Sequence, residues 1–214
     1  MRDKILAHVG SLLGGLVHNL NTPLMWVMGR SQLLQARNDR LEMLRDMPDD
    51  EFNVIKEKNI KDISSIQEGA DKIDHMLKAI GYKIQMVNEG FTSLELKEYI
   101  NREVDFLMSD MRFKHETKLD VSLDDRSYYV KVDYNSLSYA ITGIINIILG
   151  STEKNRSLNI ALHNGLIRIS CPQINLTDEL RDEIDSACKP LEEAAGIYID
   201  TANGFEVSIG LKDL

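Results

Sequence analysis

The stretch LVHNLNTPL, residues 16 to 24, places His18 in an otherwise apolar helical segment, with Thr22 four residues on and Pro23 directly after it. A single imidazole in such a setting could act as a nucleophile, taking up and releasing a group through a ring nitrogen. On a helical wheel advancing roughly 100° per residue, Val9, Leu13, Leu16, Leu20, Leu24, Val27 and Leu34 all fall opposite His18. Around the histidine lie Ser11, Gly14, Gly15, Thr22, Met25 and Gly29. Each glycine costs about 1 kcal/mol relative to alanine inside a helix, so their concentration here predicts an exposed face cleared for close approach. Pro23 removes the hydrogen bond to the carbonyl of Asn19 and predicts a kink one turn beyond the histidine. Trp26 and Arg30 lie just off this face. His8, His75, His115 and His163 are scattered over other segments and form no metal or acid–base cluster. Cys171 reads as a buried strand residue rather than a reactive thiol.

The elements that must position these residues fall into two halves. The chain has 214 residues, of which 43% are apolar, enough for one large domain or two small ones with a real core. Its net charge of −9 and pI near 5.1 argue against nucleic acid as a partner, because phosphate neutralisation needs a clustered basic face. No apolar run reaches 18 residues and no signal-peptide pattern opens the chain, so no membrane segment is expected. Two cysteines without metal-ligand spacing fit a reducing, cytoplasmic setting.

Residues 4 to about 45 read as one long helix, and RDMPDDE (45 to 51) as a turn into a second. There Ile63, Ile66, Ala70, Ile73, Leu77, Ile80, Ile84 and Val87 recur at alternating spacings of three and four. That is the pattern of helices packed at a shallow angle. Two such arms cannot cover their own apolar stripes, which predicts a homodimer built on a four-helix bundle over residues 1–90. From residue 91 to 214 the period changes. A helix over 94–111, strands at KLDVSL and YYVKV, a helix over 134–149 and a helix over about 177–194 are expected. Asn164-Gly165 predicts one hairpin turn, and TANG joins the final two strands. The expected class is α+β, a long helical hairpin followed by a two-layer α/β sandwich.

HNLNTPLMWVMGRSQLL resembles the phosphoacceptor box of dimeric sensor histidine kinases, whose pattern is His, an acid, two variable residues, Thr or Asn, then Pro-Leu. His18, Thr22, Pro23 and Leu24 match it. The order and length of both halves are similar to that family's phosphotransfer hairpin and ATP-binding sandwich, and VDYNSLSYAITGIINIILGST resembles the helix that carries the family's magnesium-binding asparagine. The resemblance implies that His18 carries a phosphoryl group and that Thr22 positions water for receiver dephosphorylation. It also implies a response-regulator receiver as partner, met by a face formed from Gly14, Gly15, Met25, Trp26, Gly29 and Arg30.

Departures from the family pattern refine that expectation. The acidic residue after the histidine is Asn19, which has no useful basicity. Asp133 and Leu137 align with the asparagine-bearing helix, but Gly143 and Ile147 replace its two asparagines, and Asn146 is about 100° off round the helix. Cys171, Gln173 and Asn175 stand where a DxGxG box belongs. Magnesium bridging and phosphate positioning would be lost together. The expectation is therefore a phosphorelay protein similar to dimeric histidine phosphotransferases, without autokinase activity and without a cofactor of its own, the receiver supplying magnesium. Alternatives left open are a catalytically silent scaffold, a receiver phosphatase, and a fragment of an active sensor kinase.

Overall fold

Arg2–Met43 form one helix, α1, with Pro23 inside it. The second, α2, runs Asp49–Glu89, with acids at its start where the helix dipole favours them. At 1.5 Å per residue each is roughly 60 Å long. The computed structural model describes residues 2–43, 48–108, 110–151, 155–200 and 205–211. Residues 45–47 of the expected turn at 45–51 and all of TANG lie outside the described residues.

Beyond α2 come β1 (Phe91–Glu95), α3 (Leu96–Leu107), α4 (Met111–Glu116), β2 (Thr117–Leu123), β3 (Tyr129–Asp133) and α5 (Tyr134–Ser151). Then follow β4 (Arg156–His163), β5 (Leu166–Cys171), α6 (Asp178–Cys188), β6 (Ala195–Asp200) and β7 (Phe205–Leu211). One sheet has the order β2-β4-β5-β7-β6, with β2 parallel to β4 and the remaining pairs antiparallel. The expected hairpin forms at Asn164 and Gly165, both with positive φ (53° and 75°), as a two-residue turn between right-twisted strands requires. Alternate residues of β4, β5 and β7, among them Leu158, Ile167 and Val207, share a core with Leu137, Ile144 and Ile148 of α5 and Ile184 of α6. This is the α+β class expected. Neither β1 nor α4 was foreseen; β1 pairs with β3 in a separate two-stranded sheet. Thr177 caps α6, its hydroxyl accepting from the Leu180 amide. That helix ends before the expected residue 194, because Pro190 cannot continue it and the chain tightens into a 3-10 turn at Lys189–Leu191.

The chain divides into two compact units. The compact units are Leu13–Lys78 on the one hand and Met1–Leu12 with Ala79–Leu214 on the other. Ile5 of α1 and Met86 and Val87 of α2 belong to the sandwich's own core. A buried polar cluster lies beside them. The Lys83 ammonium is paired with Glu103 and lies 2.5 Å from Ser138 Oγ, and the Tyr134 hydroxyl donates to Glu103 at 2.5 Å. Lys83 is 1% exposed and Glu103 3%. Burial pulls the Lys83 pKa down, opposed by the Glu103 charge.

Within the hairpin unit, a single chain leaves part of the expected seam uncovered. Leu24, placed in it by the wheel, is exposed, as are Ile63 and Leu77. The buried positions include Leu16, Pro23, Ile55, Asp62 and Gly69. Along α2 the buried row Ile55, Asp62 and Gly69 lies one residue before the Ile63, Ala70 and Leu77 row. A carboxylate and a glycine occupy two of its three places, so a search for apolar periodicity passes it by. Gly69 is needed there. A Cβ on it would stand 2.8 Å from Val27 Cγ2 and 3.1 Å from the Pro23 carbonyl oxygen.

Candidate functional site

His18 is exposed on α1, and Thr22, one turn on, is exposed as well. The Thr22 hydroxyl reaches back to the His18 carbonyl at 3.5 Å, a local bond that helical threonines favour. Met25 is 71% exposed, and nothing lies within 4 Å of where a Cβ on Gly29 would stand. Gly14 and Gly15 lie in the same helix, Gly15 half-buried. The His18 side of α1 thus combines an accessible imidazole with small or flexible neighbours.

Three expected site residues behave differently. Asn19 is 5% exposed and does not share the open side of its neighbour His18. Successive helical residues diverge by about 100°, which here separates a solvent position from a buried one. Arg30 is engaged inside the hairpin, its Nη1 donating to Asp62 Oδ1 at 2.8 Å, while Arg37 pairs with the other oxygen of the same carboxylate. Trp26 is half-exposed and receives the Lys72 ammonium 4.9 Å from its ring centroid. Arg30 and Trp26 still border the surface, but each already has a partner on α2. The Arg37 hydrogen bond, followed by that of Arg30 and their charges, holds the Asp62 carboxyl below the usual range against the opposing effect of burial. Neither this carboxylate nor the Lys83–Glu103 pair was singled out in the sequence. The only signal was a charged residue at buried helical spacing, in KDIS and in GYKIQMV.

The sandwich residues aligned with the nucleotide motifs have structural work. Asp133 accepts from the Ser136 amide at 3.1 Å and the Ser136 hydroxyl at 2.6 Å at the start of α5, and Leu137 is fully buried. Gly143, where a metal-binding asparagine would stand, faces α6 so closely that a Cβ would lie 2.8 Å from the Ala187 Cβ. An open groove of about 690 Å³ beside this contact is lined by Tyr139, Ile147, Glu179, Asp182 and Glu183. Three carboxylates and no cation repel a triphosphate. At the end of β5, the Cys171 thiol donates to Gln173 Oε1 at 3.3 Å, and the Ser157 amide reaches the same oxygen at 3.1 Å. A side chain therefore fills the corner where a glycine loop would bring backbone to a nucleotide. Burial pushes the Cys171 thiol up, and it pushes Cys188 up to about 12, with Asp185 adding to the shift. Both thiols stay protonated and unreactive. Among the described residues no three His, Cys, Asp or Glu side chains gather as a metal site. No helix among them is long and apolar enough to cross a membrane.

No protein-family model and no curated protein sequence matches the chain. Several solved structures are similar to it. The catalytic domain of histidine kinase ThkA is 18% identical, matched over 58% of this chain and 99% of that one with a TM-score of 0.46. The Acinetobacter baumannii histidine kinase AdeS is 12% identical over 92% of this chain and 98% of that one, with a TM-score of 0.41. ThkA in complex with the response regulator TrrA is 18% identical over 100% of this chain and 64% of that one, with a TM-score of 0.44. At these identities the functional reading rests on the residues themselves.

Proposed function

We propose that this chain is a phosphorelay protein that passes a phosphoryl group through His18 to or from a receiver-domain aspartate, without phosphorylating itself from ATP. The observation that carries the reading is the exposed imidazole of His18 within HNLNTPL, on a side of α1 shared with Thr22, Met25 and the open position at Gly29. In the step itself a ring nitrogen attacks phosphorus of the aspartyl phosphate. The N–P bond forms as the P–O bond breaks, the aspartate leaves as a carboxylate, and the imidazole gives up its ring proton to solvent. The receiver supplies the magnesium that neutralises the phosphoryl oxygens, so the transferase needs none of its own. The close contact of Gly143 with Ala187 and the acidic groove beside it support the absence of autokinase activity.

The partner protein is a response-regulator receiver, and the chain acts as a homodimer. Support for the dimer comes from the apolar side chains left exposed along the hairpin, among them Val17, Leu24, Met28, Ile60, Ile63 and Leu77. Covering such a stripe with a second copy removes apolar surface from water at about 25 cal/mol per Å². Light scattering at micromolar concentration is expected to give twice the chain mass; a monomer there would exclude the bundle.

The decisive experiment follows labelled phosphate from phosphorylated receivers onto the protein. His18→Ala is expected to abolish acceptance of label and transfer between receivers. Thr22→Ala is expected to retain transfer while receiver dephosphorylation falls about tenfold, the loss from one misplaced water. Label accumulating on the His18→Ala protein at the unmodified rate would show that His18 is not the acceptor, and no label on the wild-type protein would leave a silent scaffold as the better description.

A further inference from the structure

A cavity of about 210 Å³ lies between the first turns of α1 and the middle of α5, all within the sandwich unit. Lys4, Ile5 and His8 form one wall, and Tyr139, Thr142 and Asn146 line the other, with Gly143 between them. In a chain with 34 acidic and 25 basic residues, this wall contains no carboxylate. The Lys4 ammonium lies 3.4 Å from the Tyr139 hydroxyl and 5.3 Å from the centroid of its ring. An ammonium has three donors, and no carboxylate among the described residues pairs with this one. Thr142 and Asn146 stand four residues apart on one face of α5, so a hydroxyl and an amide can meet the same ligand oxygen cluster. Ile5, the Tyr139 ring and Gly143 add apolar surface, and the His8 imidazole completes the lining. A cavity of about 150 Å³ accepts benzene, and the additional volume here has room for a carboxylate on such a ring.

We propose that this cavity binds a small organic carboxylate, its apolar body against Ile5 and Tyr139 and its charge on Lys4, with Thr142 and Asn146 completing the hydrogen bonds. The site is independent of the chemistry at His18. An occupant would bridge the start of α1 and the middle of α5 within the sandwich unit.

The test titrates the full chain with benzoate, phenyl phosphate and benzyl alcohol, read by calorimetry and by methyl and ring NMR signals of Ile5 and Tyr139. Saturable benzoate binding with shifts at both residues is expected. Benzyl alcohol should bind about tenfold more weakly, Lys4→Met should lose about tenfold in benzoate affinity, and Lys4→Arg should retain it. The proposal is overturned if benzoate gives no saturable shift at these residues or if benzyl alcohol binds equally well. It is equally overturned by a preference for phenyl phosphate over benzoate, or by unchanged affinity in Lys4→Met.

Discussion

The side of α1 around His18 and the contact between α5 and α6 use glycine for opposite purposes. At Gly29 the missing side chain leaves open space on the face of α1 that carries the exposed His18, about three turns further along. At Gly143 it lets Ala187 approach to contact distance, so that α5 and α6 pack directly against each other. The same residue type thus keeps one surface free and closes another. The difference teaches which direction chemistry can take. The exposed imidazole of His18 is open to a partner, whereas the α5–α6 contact leaves no room at Gly143 for a side chain.

The comparison breaks most sharply on nucleotide binding. No saturable heat with ATP and magnesium is expected from the wild type, and none from Gly143→Asn, because the added side chain meets Ala187 before it meets a metal. Micromolar binding by either protein would mean that the α5–α6 contact opens. Next in size is the buried pair of the sandwich unit. Lys83→Met strands the Glu103 carboxylate and is expected to cost about 3–5 kcal/mol in denaturant unfolding, whereas Lys83→Met with Glu103→Leu should recover most of that loss. Equal losses in the single and double variants would show that packing rather than charge sets the cost. The smallest effect belongs to the hairpin unit. Gly69→Ala forces a methyl against Val27 and the Pro23 carbonyl and is expected to cost about 1–3 kcal/mol. A neutral or stabilising result would mean that α1 and α2 separate easily at the proline.

Where local chemistry decided the structure, the sequence could be read with confidence in particular places. Asn164-Gly165 turns as expected because few other pairs tolerate two consecutive positive φ angles. The period of residues 134–149 is that of α5, and KLDVSL and YYVKV are strands. His18 and Thr22 are exposed, as the wheel indicates, because their place follows from their own helix alone. Legibility stopped where an outcome depends on a distant segment. FTSLE becomes β1 only because β3, some forty residues on, pairs with it. Asn19 is buried and Leu24 exposed in the single chain, since which stripe of a long helix is covered depends on what lies against it.

The amino-acid sequence by itself therefore determined the two periodicities, the turn chemistry, and the set of residues from His18 to Leu24 on which the functional reading stands. Those follow from dihedral preferences and helical geometry within a few residues of chain. Only the tertiary structure decided that Asp62 is held by two arginines, that Lys83 and Glu103 are buried together, and that Gly143 abuts Ala187. It also decided that the ends of both long helices belong to the sandwich rather than to the hairpin. Each of these is a meeting of side chains far apart in sequence. Packing and desolvation act on neighbours in space, and no local pattern records who those neighbours are.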